Sequence, residues 1–339
     1  VVVVNPLFDL AIEKPNGKVY RISGLASATV RMSRARPADE CDLTFPNHAD
    51  FTLSVFEAGD VVTLALGHKE FEKGVCTVFQ GPITKIGPNL PLTITAEGNG
   101  TAARGSPYRT TYQGQGWKEI AADALSRAGL TPMVSGHAAP TKPPAFFRVD
   151  GLTPAQVLDK CCAETLWVWY VMPGTSKGWF GPRWEVPDPA GKYWLFIVGQ
   201  NVFSDDCALE YSKKRGVKRV IVTLSDSEGQ KAAVTGESRA SDYREGDAEK
   251  KLTRAVSDPT AAAAEELAKE EYGRLAAPVK GSFTAVGNPL LKPGMKIAVR
   301  NPKENDAVSY VTVEEVEHTL AEHFYSMRVT VAGGGGAQQ

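Results

Sequence analysis

From Phe8 to Ala96, hydrophobic and polar positions alternate in short runs separated by turn residues at spacings near ten. A period of two puts one face of an extended segment in a core and the other in water, so these runs predict strands. Leu10 and Ile12 precede Lys14, Pro15, Asn16 and Gly17, with Val19, Arg21 and Ser23 beyond them. Asn-Gly is a strong hairpin signal. Further strands are predicted at 29–32, 42–45, 59–67, 75–79, 83–86 and 92–96, a rhythm that favours a small barrel over a helical fold.

The period changes after Gly98. Ile120, Ala121, Ala124, Leu125 and Ala128 share one face of a predicted helix over 117–128, stopped by Gly129. Thr153 and Gln156 form a capping box around Pro154, and Val157, Leu158, Cys161, Cys162 and Leu166 make the inner stripe of a second helix. Aromatic-rich runs at 166–172, 184–186 and 193–198 read as a meander.

Strands return at 217–224 and 232–235, whereas the polar stretch 238–256 reads as a surface loop or fraying helix. Residues 259–299 organise the remainder. Asp258 and Pro259 start a helix whose narrow apolar side carries Ala264, Leu267, Ala268, Glu271 and Leu275, and Pro278 ends it. Alternation over 282–286, turns at 287–289 and 292–294, a strand at 295–299 and a hairpin of 309–316 with 325–331 follow. The reading is a mainly β chain with an α+β insertion. It has a first β-barrel domain at 1–97, an α+β module at 98–208, a second β-barrel domain at 209–332 with helix 259–277, and a flexible tail at 333–339.

Two stretches share a grammar. Gly59 and Asp60 open a strand that is followed by Gly81, a second strand and a closing hairpin; Pro293 and Gly294 open the same order of features after the Gly287 turn. Gly59, Asp60, Gly81, Gly287, Pro293 and Gly294 are the candidate fold and interface residues. Common barrel grammar and a true internal repeat both account for the likeness at this level. A true repeat would give each chain two similar surfaces, and three chains in a closed ring six.

At 339 residues the chain is long enough for two or three domains and a substantial core. Its five cysteines fit neither a disulfide framework nor common zinc spacing, which suits a reducing compartment. A net charge of −1 draws it toward neither nucleic acid nor anionic membrane, so proteins are the expected partners. No apolar run approaches the roughly 20 residues that span a bilayer.

Candidate chemistry is sparse. Gly98, Asn99 and Gly100 imitate a dinucleotide loop, but Arg104 and Pro107 break the helix that would hold the pyrophosphate. Glu315, Glu317, His318, Glu322 and His323 could ligate a metal or serve a cell-wall hydrolase; their spacing matches no common motif, and a solvated hairpin end explains them. Cys161, Cys162, Trp167, Trp169, Trp179 and Trp184 read as core. Lys213, Lys214, Arg215, Lys218 and Arg219 form a basic patch that suits DNA, an acidic protein or water. No catalytic, cofactor-binding or metal residue is assigned; a peptidoglycan hydrolase using Glu315 or Glu317 with His318 is the enzyme alternative, and a nucleic-acid-binding barrel a third.

Taken in order, the segments 56–67, 79–86 and 93–98, then 116–130 and 152–158, then 264–272, 281–288, 291–294 and 311–318 resemble the late-control protein D family of phage tails. These are baseplate hub proteins, also seen as the base of the type VI secretion spike. The resemblance implies a structural, non-enzymatic homotrimer. Two barrels per chain would make a pseudo-sixfold symmetry adaptor joining a hexameric tail tube protein to a trimeric central spike protein. It further implies baseplate wedge or tape-measure neighbours, DNA passing through the lumen without specific binding, no cofactor and no membrane insertion. The expected location is the virion tail of a phage or contractile injection system, assembled in the bacterial host cytoplasm. Because the chain ends soon after the second barrel, the spike is expected to be a separate chain.

Overall fold

A computed structural model of the chain describes residues 5–34, 36, 38–46, 55–70, 74–87, 91–139, 141, 143–183, 185, 194–211, 217–226, 232–256, 259–275, 279–302, 308–321 and 324–332. Trp184, Lys213, Lys214, Arg215, Asp258, Pro278, Glu322, His323 and the tail 333–339 lie outside these residues.

Alternation folds as expected in the N-terminal part. Strands β1 (Pro6–Glu13) and β2 (Val19–Ile22) form a hairpin turned at Gly17, whose φ of +80° is open to glycine. Strands β3 (Ser27–Ser33), β4 (Glu40–Thr44), β5 (Val61–His68), β6 (Val75–Ile86) and β7 (Thr93–Glu97) follow. The two strands predicted at 75–79 and 83–86 are one. Gly81 and Pro82 do not break β6, because it changes partner there: residues up to Pro82 pair with β5, and those from Ile83 pair with β7.

Gly98 leads into a short 3-10 helix, Asn99–Arg104, rather than a phosphate-holding α-helix. Beyond it come β8 (Tyr108–Gln113), α1 (Trp117–Arg127), β9 (Thr131–Val134), β10 (Phe146–Leu152), α2 (Pro154–Thr165), β11 (Val168–Val171) and β12 (Lys177–Gly181). The capping box is present: Thr153 Oγ1 accepts from the Gln156 N–H and the Thr153 N–H donates to Gln156 Oε1 at 2.9 Å. Ile120, Ala124, Leu125, Val157, Leu158 and Cys161 seal a core between α1 and α2, with Trp167, Trp169 and Phe180 packed beside them. Each such large apolar side chain contributes about 1.5–3 kcal/mol by burial.

The C-terminal half contains β13 (Trp194–Ile197), β14 (Val202–Tyr211), β15 (Arg219–Asp226), β16 (Val234–Arg239), β17 (Glu249–Val256), α3 (Ala261–Leu275), β18 (Val279–Val286), β19 (Lys296–Arg300), β20 (Val308–Ala321) and β21 (Phe324–Ala332). Two expectations are corrected. Residues 238–256 complete β16 and supply β17, which lies parallel to β15 at the edge of a three-stranded sheet; seven of the eight β17 positions are exposed or half-exposed, so the apolar alternation that announces a strand is missing. Helix α3 begins at Ala261, with Thr260 Oγ1 accepting from the Ala263 N–H at 3.2 Å. Ala263, Ala264 and Ala268 of α3 bury against Val220, Val222 and Leu224 of β15, closely enough that a Cβ on Gly236 of β16 would lie 2.1 Å from the Ala264 backbone.

The main sheet runs β14-β18-β21-β20-β3-β4-β7-β6-β5-β1-β2, with β19 on β20 and β13 parallel to β19. Among the described residues these pairings form an open, continuous sheet and do not close a barrel. One hydrophobic core spans it, from Leu10, Leu64 and Phe79 to Phe283, Tyr325 and Val329.

Candidate assembly site: the seam between two equivalent β units

Within that sheet the topology occurs twice. Strands β3, β4, β5, β6 and β7 pair in the order β3-β4-β7-β6-β5; strands β14, β18, β19, β20 and β21 pair in the order β14-β18-β21-β20-β19. Every corresponding pair is antiparallel.

The equivalence extends to single hydrogen bonds. The Gly59 N–H donates to the Ile83 carbonyl at 2.9 Å, and the Ile83 N–H donates to the Asp60 carbonyl at 2.7 Å. In the second unit the Gly294 N–H donates to the Val313 carbonyl at 2.7 Å, and the Val313 N–H to the Met295 carbonyl at 2.9 Å. Gly59 and Gly294 both hold positive φ, +98° and +91°, where a side chain would be strained. Immediately beyond, the ladder slips by one residue between Ile83 and Lys85 and again between Val313 and Glu315. Such bulges bend and twist a strand, so both long strands turn at the same place.

The other sequence-derived candidates sit around these turns. Asp60 is buried; its carboxylate accepts the Glu57 N–H at 2.9 Å and lies 3.3 Å from Lys14 Nζ. Gly81 lies so near β7 that a Cβ would fall 2.0 Å from the Glu97 carbonyl oxygen. Pro293 is buried in a turn closed by the Met295 N–H on the Lys292 carbonyl at 3.2 Å. Gly287 donates its N–H to the Tyr325 carbonyl at 3.0 Å and accepts His68 Nε2 of the first unit at 2.9 Å.

The two units are joined by β20 and β3. Their antiparallel register runs from Glu315↔Ser33 to Ala321↔Ser27 and sets Glu317 opposite Arg31. Alternation then sorts the side chains. Val30, Met32, Val316 and His318 enter the core, while Arg31 gathers three carboxylates on the polar face. Arg31 Nε lies 2.9 Å from Glu317, and its terminal nitrogen lies 2.7 Å from Asp42 and 3.4 Å from Glu40. The hydrogen bond to Asp42, followed by that to Glu317, raises the Arg31 pKa further. Beside the seam, Arg34 donates to the Arg183 carbonyl and Arg183 pairs with Glu314 at 2.8 Å, tying the second bulge to the segment after β12.

Reading the sequence alone missed Arg31 and Asp42 as site residues. Arg31 and Glu317 stand 286 positions apart, and nothing local marks either charge until β20 meets β3.

The enzyme-like constellation does not assemble. Glu315 and Glu317 face the polar side, whereas His318 is wholly buried on the other, with Nδ1 2.9 Å from the Tyr325 hydroxyl. Burial pushes the His318 pKa down to about 3. Among the described residues no group of three His, Cys, Asp or Glu could hold a metal ion. Burial pushes the Cys161 thiol up to about 12 and Cys162 well above its ordinary value, away from nucleophilic thiolate. The described part of the basic patch is internally paired: Lys218 lies 3.4 Å from Asp242 and 3.3 Å from Asp247, and Arg219 lies 2.7 Å from Glu237. Trp167, Trp169 and Trp179 are buried core residues. Among the described residues no helix is long and apolar enough to cross a membrane.

No protein-family model and no curated protein matches the sequence. Solved structures do match over nearly its whole length. The prophage MuSo2 43 kDa tail protein from Shewanella oneidensis shares 14% identity with a TM-score of 0.63, covering 95% of this chain and 97% of that one. A tail protein from Neisseria meningitidis MC58 shares 13% identity with a TM-score of 0.63, covering 96% of each chain. The E. coli c3393 protein, a component of the type VI secretion system with structural similarity to T4 bacteriophage tail proteins gp27 and gp5, shares 11% identity with a TM-score of 0.53; 97% of this chain covers 79% of that one. The chain therefore has the mainly β fold of phage tail proteins and of a type VI secretion component.

Proposed function

We propose that the chain is a structural hub of a phage or phage-like tail. Three copies form a ring in which six similar β units face a hexameric tail tube on one side and a trimeric central spike on the other. The observation that carries this reading is the duplicated five-stranded topology, down to the Gly59–Ile83 and Gly294–Val313 hydrogen-bond pairs. Two units of like topology in one chain let threefold symmetry meet sixfold symmetry. Neighbours of the same fold in phage tails and in type VI secretion support the setting.

In this reading the chain divides into the β domain 1–97, the α+β module 98–208 and the β domain 209–332. Gly59, Asp60, Gly287, Pro293 and Gly294 shape the turns of the two units, and Gly81 lets β6 approach β7 closely. Wedge or tape-measure proteins are further partners, DNA crosses the lumen without specific contacts, and the hub belongs to the virion tail, assembled in host cytoplasm. It performs no catalysis.

The test is mass measurement in solution across a wide concentration range, followed by imaging of particles. Obligate oligomers dissociate on dilution by mass action, so the high-concentration end decides. Rings of three chains are expected; a species that stays monomeric at the highest concentration overturns the hub.

A further inference from the structure

The equivalence of the two units leaves two strand edges without the partner that their counterparts have. In the second unit, β20 pairs with β19 up to Thr312 and then, on that same side, with β3 from Glu315. In the first unit, β6 pairs with β5 up to Pro82, and past the bulge that side of Lys85 and Ile86 pairs with nothing among the described residues. Likewise β3 is covered on both sides, whereas β14, its counterpart, ends the sheet. Apart from the Val198–Val202 bridge, no described strand pairs with the outer side of β14. An open edge is a row of unmet donors and acceptors that invites another strand.

Register fixes which residues correspond. Val313 answers to Ile83 through the glycine hydrogen bonds, so Glu315 answers to Lys85 and Glu317 to Gly87. Following the pairings Ile83↔Ala96↔Cys41 and Val313↔Val331↔Gly281, Glu40 answers to Lys280, and Arg31, opposite Glu40, answers to Glu210, opposite Lys280. Three of these four positions invert their charge, Glu315 to Lys85, Glu40 to Lys280 and Arg31 to Glu210, while Glu317 answers to an uncharged glycine. Arg31 pairs with Glu40 at 3.4 Å, and Glu210 pairs with Lys280 at 3.1 Å.

We propose that the edge of β14 in one copy pairs antiparallel with β6 beyond Ile83 in the next copy, reproducing between chains the β20–β3 seam within each chain. This rests on the ring reading and specifies its joint. Transferring the register sets Glu210 of one copy opposite Gly87 of the next and diagonal to Lys85, as Arg31 lies diagonal to Glu315. Diagonal neighbours in a sheet are about 7–8 Å apart, within reach of long side chains. Both are exposed in the single chain. Opposite charges thus meet in either seam, but with reversed polarity. The acidic β14 edge is repelled by a β20 edge carrying Glu315 and Glu317 and accepted by the Lys85 edge, so the two joints are not interchangeable.

The experiment uses the full chain at the concentration where it associates, mixed from unlabelled and 15N-labelled copies. A carbodiimide joins lysine amines to carboxylates in contact, and mass spectrometry of the peptides reads the pairs. The Glu210–Lys280 product within one chain is the internal control. A mixed-isotope Lys85–Glu210 product is expected; within one chain these residues are seven strand steps apart, about 34 Å along the sheet at the usual spacing of about 4.8 Å. Lys85→Glu and Glu210→Lys are each expected to weaken association about tenfold, and the double exchange to restore it. If wild type associates but gives only the control product, and neither reversal changes association, this joint is overturned while the ring reading stands. If wild type never associates, both fall.

Discussion

His318 Nδ1 lies 2.9 Å from the hydroxyl of Tyr325, and both side chains are fully buried. His68 also packs against the tyrosine ring, with centroids 5.1 Å apart, its Nε2–H donating to the Gly287 carbonyl. Burial lowers both histidine pKa values, His318 to about 3, so the folded state keeps it neutral while an unfolded chain takes up a proton near pH 6.5. Stability is therefore whole above about pH 6.5 and is lost as pH falls toward 3, by up to about 1.4 kcal/mol per unit for His318. Denaturant midpoints measured from pH 7.5 to 4.5 are expected to fall, and His318→Leu to flatten the slope. An unchanged slope in that variant would place the acid sensitivity elsewhere.

Gly81→Ala tests the partner exchange in β6. The added methyl would stand 2.0 Å from the Glu97 carbonyl oxygen, and both atoms belong to paired strands that cannot give way separately. A loss of at least about 2 kcal/mol is expected, in the range of overpacked sites. Gly136→Ala meets nothing within 4 Å and serves as the control, with a midpoint within about 0.5 kcal/mol of wild type.

Much of this architecture was legible because local periodicity and core burial agreed. The Thr153 capping box, the α1 stripe from Ile120 to Ala128 and the alternating strands of the first unit are local signals, and they fold as written. The β17 strand was illegible because an exposed edge strand has no apolar face to display. The likeness of Gly59 and Gly294 was visible as a turn followed by a strand. The pairing of Ile83 with Asp60 and of Val313 with Met295, which makes it a structural equivalence, lies in hydrogen bonds that no residue type encodes. The seam was hidden most deeply, since the Arg31 network joins four charges from three strands and each resembles an ordinary wet-face residue.

Thiol labelling gives a further check on the core of the α+β part. Cys161 is buried, and burial lifts its thiol to about 12, so almost none is thiolate at neutral pH. Cys41 is buried and raised as well, whereas Cys76 and Cys207 are only half-buried. Iodoacetamide at pH 8 is expected to modify Cys76 and Cys207 first, and Cys41 and Cys161 only as denaturant opens the fold. Rapid native labelling of Cys161 would contradict the packing of α2.

The last prediction concerns the seam itself. Arg31 is shared by three carboxylates, so its removal does more than delete one ion pair: Glu40, Asp42 and Glu317 all lose the cation they hold in common. Each contact is partly solvated, which limits a single pair to about 1 kcal/mol or less. Arg31→Met is therefore expected to cost more than Glu317→Gln, about 1–2 kcal/mol against about 0.5–1, with the difference shrinking as salt screens the remaining carboxylates. A double-mutant cycle separates the pair from its surroundings: the Arg31→Met penalty should be smaller in the Glu317→Gln background, since one repelling carboxylate has gone. Because β20–β3 pairing also has its buried side, Val30, Met32 and Val316, neither substitution should unfold the chain. Additive penalties, insensitive to salt, would mean that backbone pairing and core contacts alone hold the two units together.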